Sequence, residues 1–361
     1  MIKPNLLQPG DTIAIVSLSS GILGDTQFIH KYYIAKERLE KEFGLKVKTM
    51  PNALKGSDFI YHHPEARAKD LMDAFKDTTI DAIFCAIGGD DSIRLLPYID
   101  YQVIKNNPKI FMGYSDTTVS HFMMHKAGLV SFYGASVIAE FGEYVKMFDY
   151  TKKAVQKLLF EDCTNYEIAS SPYWSNDFVN WSEENMHIEK KLLKEQYGYQ
   201  VLQGKGIIKG QLLGGCIDVF PMCIGTDIWP TLEEWENKIL LVETSEEKPT
   251  PSLLLYYLRN LGAQGIFKKI NAIIVGKPQD ETYYQEYKEI YRKVLNEFNC
   301  NDVAVLYNVN IGHASPTGVL PLGSDIQIDL DNKKIVLLES PTKKSWLPAF
   351  LYLTLIHEFK F

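Results

Sequence analysis

The chain has 361 residues, 46% of them hydrophobic and 23% charged, with a formal net charge of −7. That length suffices for two domains with substantial cores, and the acidic balance, without a Lys/Arg-rich run, argues against a nucleic-acid polymer as partner and for a small molecule or peptide. Five scattered cysteines, Cys85, Cys163, Cys216, Cys223 and Cys300, sit mostly in apolar surroundings and read as buried thiols of a reducing compartment.

Met1-Ile2-Lys3-Pro4-Asn5 runs straight into a first strand with no apolar signal region, so a cytoplasmic protein is expected. Strand-like runs at 12–17, 45–50, 80–87 and 109–114 alternate with helical patterns at 27–43 and 64–75. They predict a parallel-sheet, flavodoxin-like α/β domain over residues 1–165. Residues 166–204 read as a linker dominated by Ser170-Ser171-Pro172-Tyr173-Trp174-Ser175-Asn176-Asp177-Phe178-Val179-Asn180-Trp181, whose aromatic residues have no clean period. One reading is a loop pinned by its rings to the surface beneath; the other is a lid offering an aromatic plate to a base, with stacking worth roughly 1–3 kcal/mol. A second α/β domain, 205–361, follows with strands at 238–243, 270–275 and 303–309, helices near 251–261 and 281–298, and a late hairpin around Asp331-Asn332. The apolar stretch 345–357 is too short to span a bilayer, which takes about 20 apolar residues. It is expected to dock as a strand or helix on its own domain or on a second subunit, and no membrane partner is expected.

Chemistry-bearing residues stand at three strand ends. The run Lys109–Gly113 stops at Tyr114-Ser115-Asp116-Thr117-Thr118, which places a hydroxyl beside a helix start and its free N–H groups. Lys238–Val242 delivers Glu243, and the run 303–309 delivers His313 in the loop Asn310-Ile311-Gly312-His313. Alone, each residue is a cap, a surface acid or a loop histidine. Together, at the carboxyl ends of strands where α/β proteins build sites, they form a candidate triad. Ser115 would attack, His313 would carry the proton and Glu243 would orient His313, with the active site between the two domains. The histidine is expected to titrate within the physiological range unless strongly perturbed.

Gly88-Gly89, directly after the run 80–87, lets backbone approach a ligand without a Cβ in the way. Neither a Gly-x-Gly-x-x-Gly nor a Walker pattern is present, and Thr117 replaces the last glycine of Gly-x-Ser-x-Gly. His121 and His125 have i, i+4 spacing, yet no third ligand is evident, so no metal site is expected.

These motifs, with Leu7-Gln8-Pro9-Gly10-Asp11 and Gly210-Gln211-Leu212-Leu213-Gly214-Gly215-Cys216 in the same order, resemble the LD-carboxypeptidase family of serine peptidases over nearly the whole chain. The resemblance implies the nucleophile Ser115, the base His313 and the acid Glu243. It also implies an oxyanion hole made by the N–H of Asp116 and that of Gly88 or Gly89, with no cofactor and a homodimeric assembly. The aromatic segment resembles the microcin-immunity branch, in which a Trp-bearing loop stacks on an adenine. Trp181 is the first choice for that contact and Trp174 the second, and Lys248 reads either as a contact for a phosphate or a substrate carboxylate or as a solvated surface charge. The implied reaction is hydrolysis of the amide joining an acidic terminal amino acid to an adenylate-like group in a peptidyl or aminoacyl nucleotide. The alternatives are release of terminal D-alanine from a murein peptide and non-catalytic binding of nucleotide-peptides.

Overall fold

The computed structural model describes residues 1–344, and the apolar stretch 345–357 lies outside them. Five parallel strands, in the order Lys46–Thr49, Thr12–Val16, Ala82–Cys85, Ile110–Gly113 and Ser131–Tyr133, form the first sheet. Its central segments Ala-Ile-Phe-Cys and Ile-Phe-Met-Gly are buried at every position, as strands covered on both faces must be. The order reverses between Thr12–Val16 and Ala82–Cys85, which makes the flavodoxin-like switch point, and a ligand crevice belongs outside the carboxyl ends of those strands. Gly89 sits there, packed against Ser19, where an added Cβ would come within 2.3 Å of the Ser19 hydroxyl.

The second sheet has eight strands. Ile207–Cys216, Lys238–Glu243, Ala272–Gly276 and Ala304–Val309 run parallel at its centre. Antiparallel partners close both sides, including the expected late hairpin, Asp325–Asp329 with Lys334–Leu337.

Residues 166–204 are more ordered than a linker. Tyr166–Ile168 and Gln200–Gln203 form the two edges of the second sheet, and Tyr173–Trp174 pairs with Leu193–Lys194 in a small hairpin. Leu320–Leu322, from the second half of the chain, closes the first sheet beside Ser131–Tyr133. Strands of two to four residues carry too little alternation to be read without their partners.

The halves also meet through glycine. At Gly215 a Cβ would lie 2.5 Å from the Thr118 hydroxyl, and the N–H of Cys216 donates to that hydroxyl at 3.0 Å. The helix Thr117–Ala127, which ends at Gly128 in the left-handed region, is thereby pinned to the second sheet. His121 on this helix is structural: it bonds to the Ser131 hydroxyl and the Gly113 carbonyl, and burial pushes it down to about 4. His125 is partly buried, and loss of hydration lowers it to about 4. All five cysteines are free and buried. Among the described residues, no helix is long and apolar enough to cross a membrane.

Candidate active site

The strand Ile110–Gly113 ends in a sharp turn that puts Ser115 at φ 63°, in the left-handed region, before Thr117–Ala127 begins. A non-glycine residue held there stores roughly 1–3 kcal/mol of strain, a cost characteristic of functional turns. The turn is braced by the Ser115 carbonyl, which accepts the Thr118 N–H at 2.9 Å. It is braced from below by the buried Asp116 carboxylate, which accepts the Ser92 N–H at 2.9 Å. Gly88 faces the serine so closely that a Cβ would lie 2.6 Å from Ser115 Cβ and 2.8 Å from Oγ. Only glycine fits between this backbone and the hydroxyl.

Glu243 ends its strand with 1% exposure, in a slot cut by two more glycines. A Cβ at Gly276 would meet Glu243 Cβ at 2.6 Å, and one at Gly312, φ 89°, would meet Glu243 Oε2 at 2.2 Å. His313 follows immediately, and its Nδ1 pairs with Glu243 Oε2 at 2.7 Å. The other carboxylate oxygen, Oε1, accepts the Tyr133 hydroxyl at 2.5 Å, and that hydroxyl accepts the Ser115 N–H at 3.1 Å. A hydrogen-bond chain therefore links the serine backbone, Tyr133, Glu243 and His313 across the two sheets.

The remaining ring nitrogen of His313, Nε2, lies 2.9 Å from Glu246 Oε2. Burial works against the charged imidazole, but Glu243 and Glu246 outweigh it and push His313 up to about 10. The ring is thus an imidazolium at neutral pH in this arrangement. This is the strong perturbation that displaces the histidine from the physiological titration expected of it. Tyr114 packs edge-on to the ring at 5.1 Å between centroids.

Cys216, Glu243 and His313 bring three donor atoms within 4.8 Å of one another. Burial, together with the Glu243 and Asp218 carboxylates, raises the Cys216 thiol well above its usual value, so it stays protonated. With both Glu243 oxygens already hydrogen-bonded, the group suits a proton-handling network and not a cation.

Ser115, His313, Gly88, Gly89 and Trp181 line one cavity of about 350 Å³, with Glu246 at its wall. Trp181 is half-buried, with Lys31 Nζ 4.3 Å from its ring centroid and Phe28 edge-on to it. Trp174 and Lys248 stand outside that lining. Trp174 is 8% exposed because its ring covers the ammonium of Lys277, a buried group held by Glu195 and Glu281. Lys248 is engaged by Asp280 at 2.5 Å. Sequence reasoning missed Tyr133 and Glu246. Tyr133 had a usable signal, since it too ends an apolar strand of the first sheet, whereas Glu246 lies in an acidic turn with nothing to mark it.

Two α/β units that close over one serine and one carboxylate-bound histidine make a serine-peptidase architecture. The chain belongs to the LD-carboxypeptidase family: the family's N-terminal domain matches residues 13–134 and its C-terminal domain residues 209–328. It is 30% identical to the Microcin C7 self-immunity protein MccF of Escherichia coli, over 92% of this chain and 94% of that protein. Among solved structures, an MccF-like protein from Streptococcus pneumoniae in complex with AMP superposes with a TM-score of 0.83 at 38% identity, covering 91% of this chain and 98% of that one. MccF in complex with aspartyl sulfamoyl adenosine gives a TM-score of 0.83 at 28% identity, covering 95% of this chain and all of that one.

Proposed function

We propose that the protein hydrolyses the amide joining an acidic terminal amino acid to an adenylate-like group, in aminoacyl or peptidyl nucleotides of the microcin C type, through an acyl-enzyme. The observation that carries this reading is the presence of Trp181 in the wall of the cavity that holds Ser115 and His313. The MccF complex with aspartyl sulfamoyl adenosine supports it by analogy.

Glu246 must first leave Nε2 and carry off the Nε2 proton as its carboxylic acid, passing it to solvent, so that the neutral ring nitrogen can accept the Ser115 proton. Ser115 Oγ attacks the amide carbonyl, and the oxyanion is met by the N–H of Asp116 and a glycine N–H of the Gly88-Gly89 turn. His313 passes the proton to the departing nitrogen, and the acyl group remains as an ester on Ser115. Water, deprotonated by His313, then attacks the ester, releasing the carboxylate and restoring the serine. Glu243 holds the Nδ1–H and stabilises the imidazolium at each transfer, and Tyr133 holds Glu243. Trp181 supplies the stacking face for the base.

Incubation with an aminoacyl sulfamoyl adenosine, a processed microcin C analogue and murein tetrapeptide, read by mass spectrometry, tests the reading. Cleavage of the adenylated substrates is expected. With Trp181→Ala, kcat/KM should fall by about 1–3 kcal/mol in transition-state terms on those substrates alone, with partial recovery in Trp181→Phe. Efficient cleavage of tetrapeptide with the adenylated substrates ignored would move the protein to the murein branch. Equal losses on both substrates would make the loop a closing element without base recognition.

A further inference from the structure

Beside the catalytic cavity lies a second one, of about 320 Å³, lined by Phe148, Tyr150, Pro172, Tyr173, Leu192 and Pro316 among others. The two share a wall. Glu143, Phe148 and Lys190 face both, Tyr150 and Pro316 face the second, and their chain neighbours Thr151, Ser315 and Thr317 face the first. The partition is closed by an ion pair, Lys190 Nζ to Glu143 Oε2 at 2.6 Å, between two largely buried side chains. The outer side is built by the hairpin Tyr173–Trp174 with Leu193–Lys194, which leaves Tyr173 50% and Leu192 48% exposed above the cavity.

We propose that this second cavity binds the peptide segment that precedes the residue acylating Ser115, an assignment that rests on the hydrolase reading above. Three observations select that occupant. At about 350 Å³ the catalytic cavity is at the small end for ligand sites, so it has room for an aminoacyl nucleotide but not for several further residues. The second cavity lies directly against it, across the Lys190–Glu143 ion pair. Aromatic, proline and leucine side chains share its wall with charged ones, and two of its three lysines are neutralised, Lys190 by Glu143 and Lys146 by Glu189 at 2.7 Å, while Asp149 adds a further negative charge, which suits a peptide better than a second phosphate. Tyr173 and Leu192 are therefore specificity-determining residues for peptidyl over aminoacyl substrates.

The test uses the full chain carrying Tyr173→Ala and Leu192→Ala together, both half-exposed positions where truncation spares the core. Two measurements are made: kcat/KM on an aminoacyl and on a peptidyl sulfamoyl adenosine, and calorimetric titration of the unadenylated peptide and of AMP. The peptidyl substrate should lose about tenfold in kcat/KM, mostly through KM, with the aminoacyl substrate unchanged. Peptide affinity should fall by a similar factor while AMP affinity holds. Equal losses on both substrates, an unchanged peptidyl reaction, or weakened AMP binding would each overturn the assignment, the last by giving the cavity to the nucleotide. If wild-type protein turns over neither substrate, the hydrolase reading fails by itself; the peptide titration then decides the subsite, and absence of peptide binding to wild type sinks it.

Discussion

Replacing Glu246 by alanine is the most informative perturbation, because this carboxylate occupies the ring nitrogen that the proposed reaction needs. The side chain of Glu246 is 58% exposed, against 7% for His313. Its hold on the ring is therefore that of a solvent-screened pair, about 0.2–1 kcal/mol. At 1.36 kcal/mol per pH unit, that is a fall of about 0.1–0.7 unit in the His313 titration. The buried Glu243 stays in place and keeps the titration well above that of a free histidine. Asp218, Tyr114, Tyr133 and Cys216 also face this network and are left unchanged. On the rising limb of kcat/KM against pH, where the rate follows the neutral imidazole, the gain at fixed pH is up to about fivefold. The assay is the pH dependence of kcat/KM on an aminoacyl sulfamoyl adenosine for wild type and Glu246→Ala, paired with NMR titration of the His313 ring. Superimposable profiles, or a loss of activity at every pH, would refute the view that Glu246 holds the free enzyme closed.

Ser115→Ala and Ser115→Gly should both abolish turnover, and the glycine variant should gain about 1 kcal/mol of stability in chemical denaturation by relieving the positive φ. A Ser115→Ala, His313→Ala double variant should be no slower than the worse single one; multiplying losses would show that the two do not act as a unit. Tyr133→Phe removes a donor from the buried Glu243 and should cost about 1.5–3 kcal/mol of stability together with activity, so a silent substitution would contradict the bridging role. Because the fold raises His313 from 6.5 to about 10, its contribution to stability is fully present below pH 6.5 and fades as pH rises toward 10. Urea midpoints of wild type should therefore decline across that window more steeply than those of His313→Ala.

Much of this protein is local in origin. The short apolar runs of Ile110–Gly113 and Lys238–Glu243 form buried strands, and the polar residue at or just after the end of each stands at a sheet edge. That is why the strand-end positions of Ser115 and Glu243, and the loop position of His313, were legible in a linear string, along with the alternating α/β pattern and the late hairpin. Glycines carried the same kind of information at Gly88, Gly89 and Gly312, although the atoms they make room for, Ser115 Oγ, Ser19 Oγ and Glu243 Oε2, become visible only when distant segments meet. Tertiary structure decided the rest. Trp174 and Trp181 look alike in sequence, yet one covers a buried lysine while the other lines the cavity, because two short strands turn the hairpin one way. The Leu320–Leu322 strand crosses to the first sheet because the edge at Ser131–Tyr133 is open to it. The charge on His313 is set by carboxylates 70 and 67 positions before it, since Coulomb energy depends on distance through space and on burial, and neither is written in the order of residues.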